Sequence, residues 1–331
     1  MEHTFTPAWW LPGPHAQTIG ARLLRPASGV ALRRERLELP DGDFVDLDWV
    51  VGSDNETAPS TAPVVLVLHG LEGSAQSRYM LEAYRALRRE GLAPVGLNFR
   101  SCSGEPNRLA RLYHSGDTED IGAVLQVLRA RLPAARLGAL GFSLGGNALL
   151  KYLGEHGRDV RTPPIAAAGA ISVPYDLAAG ERQLRRGAGR IYLAYLLRKL
   201  RRKVRLKRAV LRDRVDVEAL LRSRTFREFD ELGTAPLHGF AGADDYYARS
   251  SSGPFLGAIA VPTILVHALD DPFLPARAVP VDAGRTNAAL RTAMVATGGH
   301  VGFVRGSPMR PVFWAEQTAA RFLAMELTGR R

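Results

Sequence analysis

A largely apolar run, a glycine-rich turn and a helix-forming segment follow one another over residues 137–152, and this succession limits the possible folds more than any other feature of the chain. The turn, residues 141–145, has the pattern G-x-S-x-G around Ser143. A strand that turns into a helix within about five residues strains its central residue, and the glycines remove Cβ atoms that would otherwise collide. The pattern therefore predicts that Ser143 protrudes at the edge of a sheet, in the position of a nucleophile.

The start of a helix directly after Ser143 also favours negative charge at this point. Backbone N–H groups and the positive end of the helix dipole stabilise an oxyanion there, and the N–H of Leu144 is the first candidate donor. The loop His69-Gly-Leu-Glu-Gly73 follows another apolar run, where this arrangement places the second donor. We assign that role to the N–H of Leu71. The alternative is an ordinary strand-to-helix loop whose glycines only permit a tight turn.

Apolar runs alternate with helix-forming segments along most of the chain, which predicts an α/β fold with a mostly parallel sheet covered by helices on both faces. Before this alternation begins, residues 36–39 and 44–50 alternate apolar and polar side chains around Asp41-Gly42 and predict an antiparallel hairpin. The further strands are expected at 64–68, 94–99, 137–142, 165–172, 262–269 and 291–296, and helices near 77–90, 117–132 and 312–327.

Between Pro174 and about Leu237 the strand pattern is absent, and helix formers with basic residues take its place. We interpret residues 174–237 as a helical insertion. Residues 1–173 and 238–331 would then form one core.

A serine hydroxyl is a poor nucleophile near neutral pH, so Ser143 needs a histidine base and an acid that orients the histidine. In this kind of fold the acid and the histidine follow the serine in that order. Asp270 and Asp271 both follow the predicted strand 262–269, and His300 follows two glycines after the strand 291–296. Enzymes of this kind usually carry a proline four residues after the acid, as Pro275 is placed here, so we favour Asp271. Asp270 would then cap the turn or bond to the backbone.

The net charge of +11 is concentrated in one segment. Residues 181–214 contain fourteen Lys or Arg and two acids, a net charge of +12, so the rest of the chain is close to neutral. Apolar residues at helical spacing among them predict a basic amphipathic helix: Ile191, Leu193, Leu196, Leu197 and Leu200. Its basic side chains either form a solvated face, which we favour, or are attracted to an anionic membrane or acyl substrate surface. A nucleic-acid partner is not expected, because no helix-turn-helix, RNP or zinc signature is present.

Cys102 is the only cysteine, so no intrachain disulfide and no cysteine-based metal cluster can form. We expect it to pack in a loop, and we expect no metal and no organic cofactor. Residues 1–20 lack a basic start followed by an apolar run, and no apolar run approaches the ~20 residues of a membrane span. We therefore expect a cytoplasmic protein, with peripheral membrane contact through 181–214 as the alternative. Nothing in the sequence predicts an oligomeric state.

Other polar residues are expected to have structural roles. We interpret His267, inside an apolar run, as a core residue, and His15 and His114 as packing or loop residues. A polar network is expected from four residues near Cys102: Arg100, Glu105, Asn107 and Arg108.

Several segments together resemble one family. They are Pro14-His-Ala-Gln-Thr18, His69-Gly-Leu-Glu-Gly-Ser74, Asn98-Phe-Arg-Ser-Cys-Ser-Gly-Glu-Pro-Asn107, Tyr113-His-Ser-Gly116, Gly141-Phe-Ser-Leu-Gly-Gly-Asn147, Ala235-Pro-Leu-His-Gly-Phe240, Asp270-Asp-Pro-Phe273 and Gly299-His-Val-Gly-Phe303. The chain resembles the YheT-like branch of α/β-hydrolases, which is related to eukaryotic alpha/beta-hydrolase-domain lipases and to yeast medium-chain fatty-acid ethyl ester synthase/esterases. One departure is Ser101, where the family commonly has glycine.

The resemblance implies an α/β-hydrolase fold whose cap, residues 174–237, lies over the active site. It also implies a serine hydrolase that acts on carboxylic esters, with Ser143, Asp271 and His300 as its triad. We expect short- to medium-chain acyl esters or lipids as substrates and an acyl-enzyme as intermediate. Two alternatives remain open: acyl transfer to an alcohol by the same residues, and a non-catalytic protein that binds anionic surfaces through its basic cap.

Overall fold

The computed structural model describes residues 5–52, 61–157 and 165–329. Its strands are β1 (Ala31–Glu38), β2 (Phe44–Val51), β3 (Val64–Leu68), β4 (Ala93–Asn98), β5 (Leu137–Phe142), β6 (Ile165–Ile171), β7 (Thr263–Ala268), β8 (Leu290–Val295), β9 (Val304–Ser307) and β10 (Arg310–Phe313). In the described residues, eight strands form one sheet in the order β1-β2-β4-β3-β5-β6-β7-β8. Strands β3 to β8 run parallel to one another, as predicted. The predicted hairpin is present as the antiparallel pair β1 and β2.

The helices are α1 (Gly13–Leu24), α2 (Arg78–Arg89), α3 (Glu119–Arg131), α4 (Leu144–His156), α5 (Leu177–Leu184), α6 (Gly189–Leu206), α7 (Arg208–Leu211), α8 (Val217–Arg222), α9 (Phe226–Phe229), α10 (Ala235–His238), α11 (Ala243–Ser250), α12 (Ala283–Thr286) and α13 (Trp314–Thr328). None of the helices in the described ranges is long and apolar enough to cross a membrane.

Both faces of the sheet are buried, which is why its central strands are continuously apolar. All five residues of β3 are buried. Leu66 and Leu68 pack in a cluster with residues of α3 and α4, whereas Val65 and Val67 pack in a second cluster with α2 and α13. Because side chains alternate along a strand, this division places a helical layer on each face. The core holds the carboxyl ends of the parallel strands at one edge, where the candidate side chains lie.

Residues 174–237, the predicted insertion, are helical and include α5 to α9. Their buried leucines form a separate apolar cluster around Leu193, Leu197, Leu200 and Val204. These four lie on one face of α6 at helical spacing. Ile191 was predicted on this face but is 71% exposed. It precedes Leu193 by two residues, about 200° around the helix, and so points away from the cluster.

Several elements were not predicted from the sequence, namely α1, α11, α12 and the strands β9 and β10. Helix α1 begins directly after Pro12, in the segment that its prolines and aromatic residues mark as irregular. Strands β9 and β10 form a short antiparallel hairpin, so the terminal helix begins at Trp314 and the residues just before it, from 310, are extended.

Candidate active site

The turn between β5 and α4 holds Ser143 in a conformation that side chains rarely adopt. Its φ is +51° and its ψ −120°. Close backbone contacts explain the glycines around it: a Cβ on Gly141 would lie 2.5 Å from Gly146 Cα, and one on Gly145 would lie 2.5 Å from the His69 carbonyl oxygen. The backbone N–H of Ser143 donates to the Ile171 carbonyl at 2.9 Å, which ties the strained turn to β6. The serine is thereby held beside the loop that follows β3.

The structure brings Ser143, His300 and Asp271 together. His300 Nε2 lies 3.0 Å from Ser143 Oγ, and His300 Nδ1 lies 2.8 Å from Asp271 Oδ2. These three residues follow the ends of β5, β7 and β8, and Ser143 precedes the other two by more than a hundred residues in the chain. The ring of Phe273 stacks on that of His300 at a centroid distance of 4.0 Å, which limits rotation of the imidazole.

The side chain of Asp271 is completely buried, and it is held as an anion. Burial acts to raise the pKa of this carboxyl, but the charge and hydrogen bond of His300 outweigh burial, so the pKa lies below its ordinary value. The Phe273 N–H also donates to Asp271 Oδ1 at 2.7 Å. Asp270 points elsewhere: its Oδ1 accepts hydrogen bonds from the N–H groups of Gly298 and Gly299, both at 2.9 Å.

Helix α1 fastens the loop that carries His300, which the sequence did not indicate. Thr18 Oγ1 accepts a hydrogen bond from the His300 N–H at 2.9 Å. Gln17 bonds to both the N–H and the carbonyl of Val304, at 2.8 and 3.2 Å. Arg25 donates to the carbonyls of Val301 and Gly302 and forms a buried ion pair with Glu316 at 2.7 Å. The Pro14-His-Ala-Gln-Thr18 segment contributed to the family resemblance, which did not assign it this role.

The loop after β3 passes directly beside Ser143. A Cβ on Gly70 would lie 3.1 Å from the Ser143 Cβ, a tight contact that would push the serine aside by a few tenths of an ångström. His69 Nδ1 lies 2.8 Å from the Gly70 carbonyl oxygen, and His69 Nε2 accepts from the Phe99 N–H at 3.2 Å. Complete burial lowers the pKa of His69 to about 3, which keeps the ring neutral and suited to these two contacts. Leu71 and Leu144, the candidate oxyanion donors, both line the cavity above Ser143.

This cavity has a volume of about 560 Å³ and reaches from Ser143 and His300 to the helical insertion. Its wall is mainly apolar and aromatic, with side chains such as Leu112, Leu184, Leu196, Tyr192, Phe226 and Phe229. A space of this size and polarity accommodates an acyl chain.

A family model described as the alpha/beta hydrolase fold matches residues 63–307. The chain belongs to the α/β-hydrolase family. It is 39% identical over 328 residues to "Putative esterase YheT" of Escherichia coli (strain K12), and the alignment covers 98% of this chain and 94% of that protein. It is 30% identical to "Phospholipase ABHD3" of Mus musculus, covering 98% of this chain and 79% of that protein. The resemblance to the YheT-like branch is thus confirmed.

A yeast relative and a solved structure complete the comparison. The "Monoacylglycerol lipase" of Saccharomyces cerevisiae is 30% identical over 269 residues, and the alignment covers 79% of this chain and 59% of that protein. The Pyrococcus furiosus esterase Pf2001 superimposes with a TM-score of 0.58 at 16% identity, covering 90% of this chain and 92% of that chain. The latter match supports the α/β-hydrolase fold.

The loop around Cys102 includes Ser101, at the position where the family commonly has glycine. Ser101 has φ +63°, a conformation that favours glycine. Its hydroxyl donates to Asn107 Oδ1 at 2.6 Å and accepts from the Asn107 N–H at 3.0 Å, and these bonds offset the strain. Cys102 is buried, and burial raises the pKa of its thiol.

The expected polar network is centred on Asp43. Arg100, Asn107 and Arg108 all bond to its carboxylate. Arg100 also forms a two-pronged pair with Asp120, at 2.6 and 2.8 Å. Glu105 lies outside the network and pairs with Arg36.

The other histidines pack as expected. His267 is buried, His114 packs against the ring of His238, and His15 bonds to the Tyr192 hydroxyl.

Proposed function

We propose that this hydrolase cleaves carboxylic esters through an acyl-enzyme on Ser143. The observation that carries the proposal is the continuous chain from Asp271 Oδ2 through the His300 ring to Ser143 Oγ, with contacts of 2.8 and 3.0 Å. A serine hydroxyl within hydrogen-bond reach of a histidine, which is in turn oriented by a buried carboxylate, is the arrangement that activates serine.

In the proposed reaction, Ser143 Oγ attacks the ester carbonyl carbon while His300 Nε2 takes its proton. The N–H groups of Leu71 and Leu144 hold the resulting oxyanion. His300 returns the proton to the leaving alkoxide, which departs as the alcohol. Water then attacks the acyl-enzyme and loses a proton to His300, which returns it to Ser143 Oγ as the bond to the acyl group breaks and the carboxylic acid leaves. Asp271 fixes the tautomer of His300 and stabilises its charged form.

The substrates are short- to medium-chain acyl esters or lipids. The mainly apolar wall of the cavity supports an acyl chain as the bound group. The relatives named as esterase, phospholipase and monoacylglycerol lipase support the same reaction class.

The basic segment 181–214 supports a second proposal, that the insertion 174–237 is a cap that contacts an anionic membrane. On α6, the side chains of Arg190, Arg198, Arg202 and Arg205 are exposed, and none has an ion pair with an acid in the described part of the chain. Cosedimentation with vesicles of phosphatidylglycerol, and not of phosphatidylcholine alone, is the expected result. Equal binding to both, or to neither, would contradict this contact. Cytoplasmic location stays a prediction.

The first test is hydrolysis of p-nitrophenyl esters from acetate to decanoate by the wild type and Ser143→Ala, with fluorophosphonate labelling in parallel. We expect labelling and turnover that disappear in the variant, with a chain-length optimum set by the cavity. A folded wild type with neither labelling nor turnover would favour the non-catalytic alternative. Adding an alcohol as competing acceptor separates hydrolysis from acyl transfer.

A further inference from the structure

Five cationic side chains line the cavity, and they differ in their partners. Arg25 is paired with Glu316 at 2.7 Å, and Lys203 with Glu72 at 2.6 Å. The other three bond only to neutral oxygens and have no carboxylate within 4.0 Å in the described ranges: Arg22, Arg78 and Lys199. Three cations of the cavity wall therefore have no carboxylate partner in the described part of the protein.

Two of these cations, Arg22 and Lys199, lie against Tyr195. Arg22 Nη2 donates to the Tyr195 hydroxyl at 2.8 Å, and the guanidinium lies 5.0 Å from the ring centroid. Lys199 Nζ lies 5.3 Å from the same centroid. Burial acts to raise the pKa of Tyr195, but Arg22 and Lys199 outweigh it, and the pKa is lowered. Like charges gathered in this way repel one another, and a bound anion relieves that repulsion.

The region around Tyr195 adjoins the candidate reaction centre on both sides. Lys199 Nζ donates to the carbonyl of Glu72 at 2.7 Å, and Glu72 directly follows Leu71. Arg22 lies four residues after Thr18 on α1, about one helical turn from the hydroxyl that accepts the His300 N–H. An anion held here would lie next to the ester that Ser143 attacks.

The remaining acids of the cavity wall do not compensate these cations. The Glu72 carboxylate is already engaged by Lys203 and by the Tyr113 hydroxyl at 2.9 Å. Glu181 lies 3.1 Å from Arg185, and Asp230 accepts from the Thr234 and Tyr247 hydroxyls.

We propose that Arg22 and Lys199 bind a phosphate or other anionic group carried by the alcohol part of the ester substrate, with Arg78 adding positive charge to the same cavity wall. This inference rests on the proposed function and names its substrate class, an acyl ester with an anionic head. Arg22 is the residue that tests it, since within the described ranges its side chain bonds only to the Tyr195 hydroxyl. Arg78 and Lys199 also hold backbone carbonyls of α1 and of the loop after β3.

The experiment compares two esters with the same short acyl chain, hexanoyl glycerol and hexanoyl glycerol phosphate, at concentrations where both are monomeric. Monomeric substrates separate the site from any contact between α6 and a membrane. We expect the wild type to prefer the phosphate ester in kcat/KM. Arg22→Gln should lower kcat/KM about tenfold for the phosphate ester, because a hydrogen bond to a charged group is lost, and should change it less than about twofold for the uncharged ester.

Arg22→Lys should recover part of the loss, and Arg285→Gln, at a side chain that is 87% exposed on α12, should change neither substrate. Equal losses for both esters in Arg22→Gln would overturn the inference, since a general disturbance of the cavity would explain them. A wild type that prefers the uncharged ester would overturn it as well.

Binding to Ser143→Ala, measured by calorimetry, separates this inference from the proposed mechanism. Binding of hexanoyl glycerol phosphate that weakens about tenfold when Arg22→Gln is added supports the anion site even if no ester is cleaved. Binding that is indifferent to Arg22 overturns the site even if esters are cleaved. Inorganic phosphate is expected to bind at least about tenfold more weakly, because it lacks the acyl chain. If it binds equally well, the site serves free phosphate, and the assignment to the substrate is wrong.

Discussion

Lys203 on α6 forms an ion pair with Glu72 in the loop after β3, with Nζ 2.6 Å from Oε1 and both side chains largely buried. The same ammonium lies 2.9 Å from Cys102 Sγ and 4.5 Å from the centroid of the Tyr113 ring. Glu72 has φ +56° and directly follows Leu71, the candidate oxyanion donor. Helix α6 is therefore attached to the loop that passes beside Ser143.

Lys203→Met leaves the Glu72 carboxylate buried without its counter-charge. We expect the free energy of unfolding to fall by about 3 kcal/mol, as is usual when one partner of a buried pair is removed. Adding Glu72→Gln should recover part of this loss. Urea unfolding measures both changes. Arg202→Met, at an exposed position on the same helix, is the control and should cost less than about 0.5 kcal/mol. If Lys203→Met and Arg202→Met lower the free energy of unfolding by similar amounts, the prediction is wrong.

Asp271→Asn and Asp270→Asn test which of the two neighbouring aspartates acts as the triad acid. Asp271→Asn removes the charge that orients His300, and kcat should fall about 10⁴-fold. Asp270→Asn keeps an oxygen that accepts from Gly298 and Gly299, so its kcat should fall less than about tenfold. The measurement is kcat for p-nitrophenyl butyrate at saturating ester. A larger loss in Asp270→Asn would show that the assignment of the triad acid is wrong.

The sheet and the turn at Ser143 could be predicted because both depend on local pattern. Strands buried on two faces are continuously apolar, and the strained turn needs glycine at fixed positions. The strands could be located from local pattern, so the order serine, acid and histidine identified one candidate after each of three strands. The structure brings these three together.

The contacts of α1 could not be predicted because they join residues almost three hundred positions apart. Gln17 and Thr18 are short polar side chains in a segment rich in proline, and nothing near them in sequence identifies Val304 or His300 as partners. The lysines of α6 raise the same difficulty. The sequence marked a basic helix, but only the fold shows that Lys203 pairs with Glu72 and that Lys207, directly after the helix, is buried, while Arg202 and Arg205 are exposed.

Thr18→Val tests whether α1 positions His300, the proposed catalytic base. The change removes the acceptor of the His300 N–H with little change in volume. We expect kcat to fall about tenfold with KM nearly unchanged, since the displaced group acts on the reacting atoms and not on the acyl chain. Thr18→Ser retains the hydroxyl and should keep most of the activity. The rate of fluorophosphonate labelling should fall in parallel with kcat. A loss confined to KM would instead indicate a change in the cavity wall, which Thr18 also lines.

His267 is expected to make stability depend on pH. It lies in β7 with its side chain completely buried, its Nε2 3.7 Å from Asp271 Oδ2. Burial lowers its pKa to about 4, while the neighbouring Asp271 opposes this shift in part. The unfolded chain therefore binds the proton more tightly than the folded protein, with an ordinary pKa near 6.5. The neutral ring stabilises the fold fully above pH ~6.5, and this contribution is lost as the pH falls toward ~4.

At about pH 5 the loss amounts to roughly 2 kcal/mol. In His267→Leu, the fall in the free energy of unfolding between about pH 7.5 and pH 5 should be smaller than in the wild type by that amount. Urea unfolding at the two pH values measures it. Tyr175→Phe is the matched control, because Tyr175 packs against the His267 ring at 5.5 Å and has no group that titrates in this range. If His267→Leu keeps the full pH dependence of the wild type, other buried groups must carry it and the neutral state assigned to His267 is wrong.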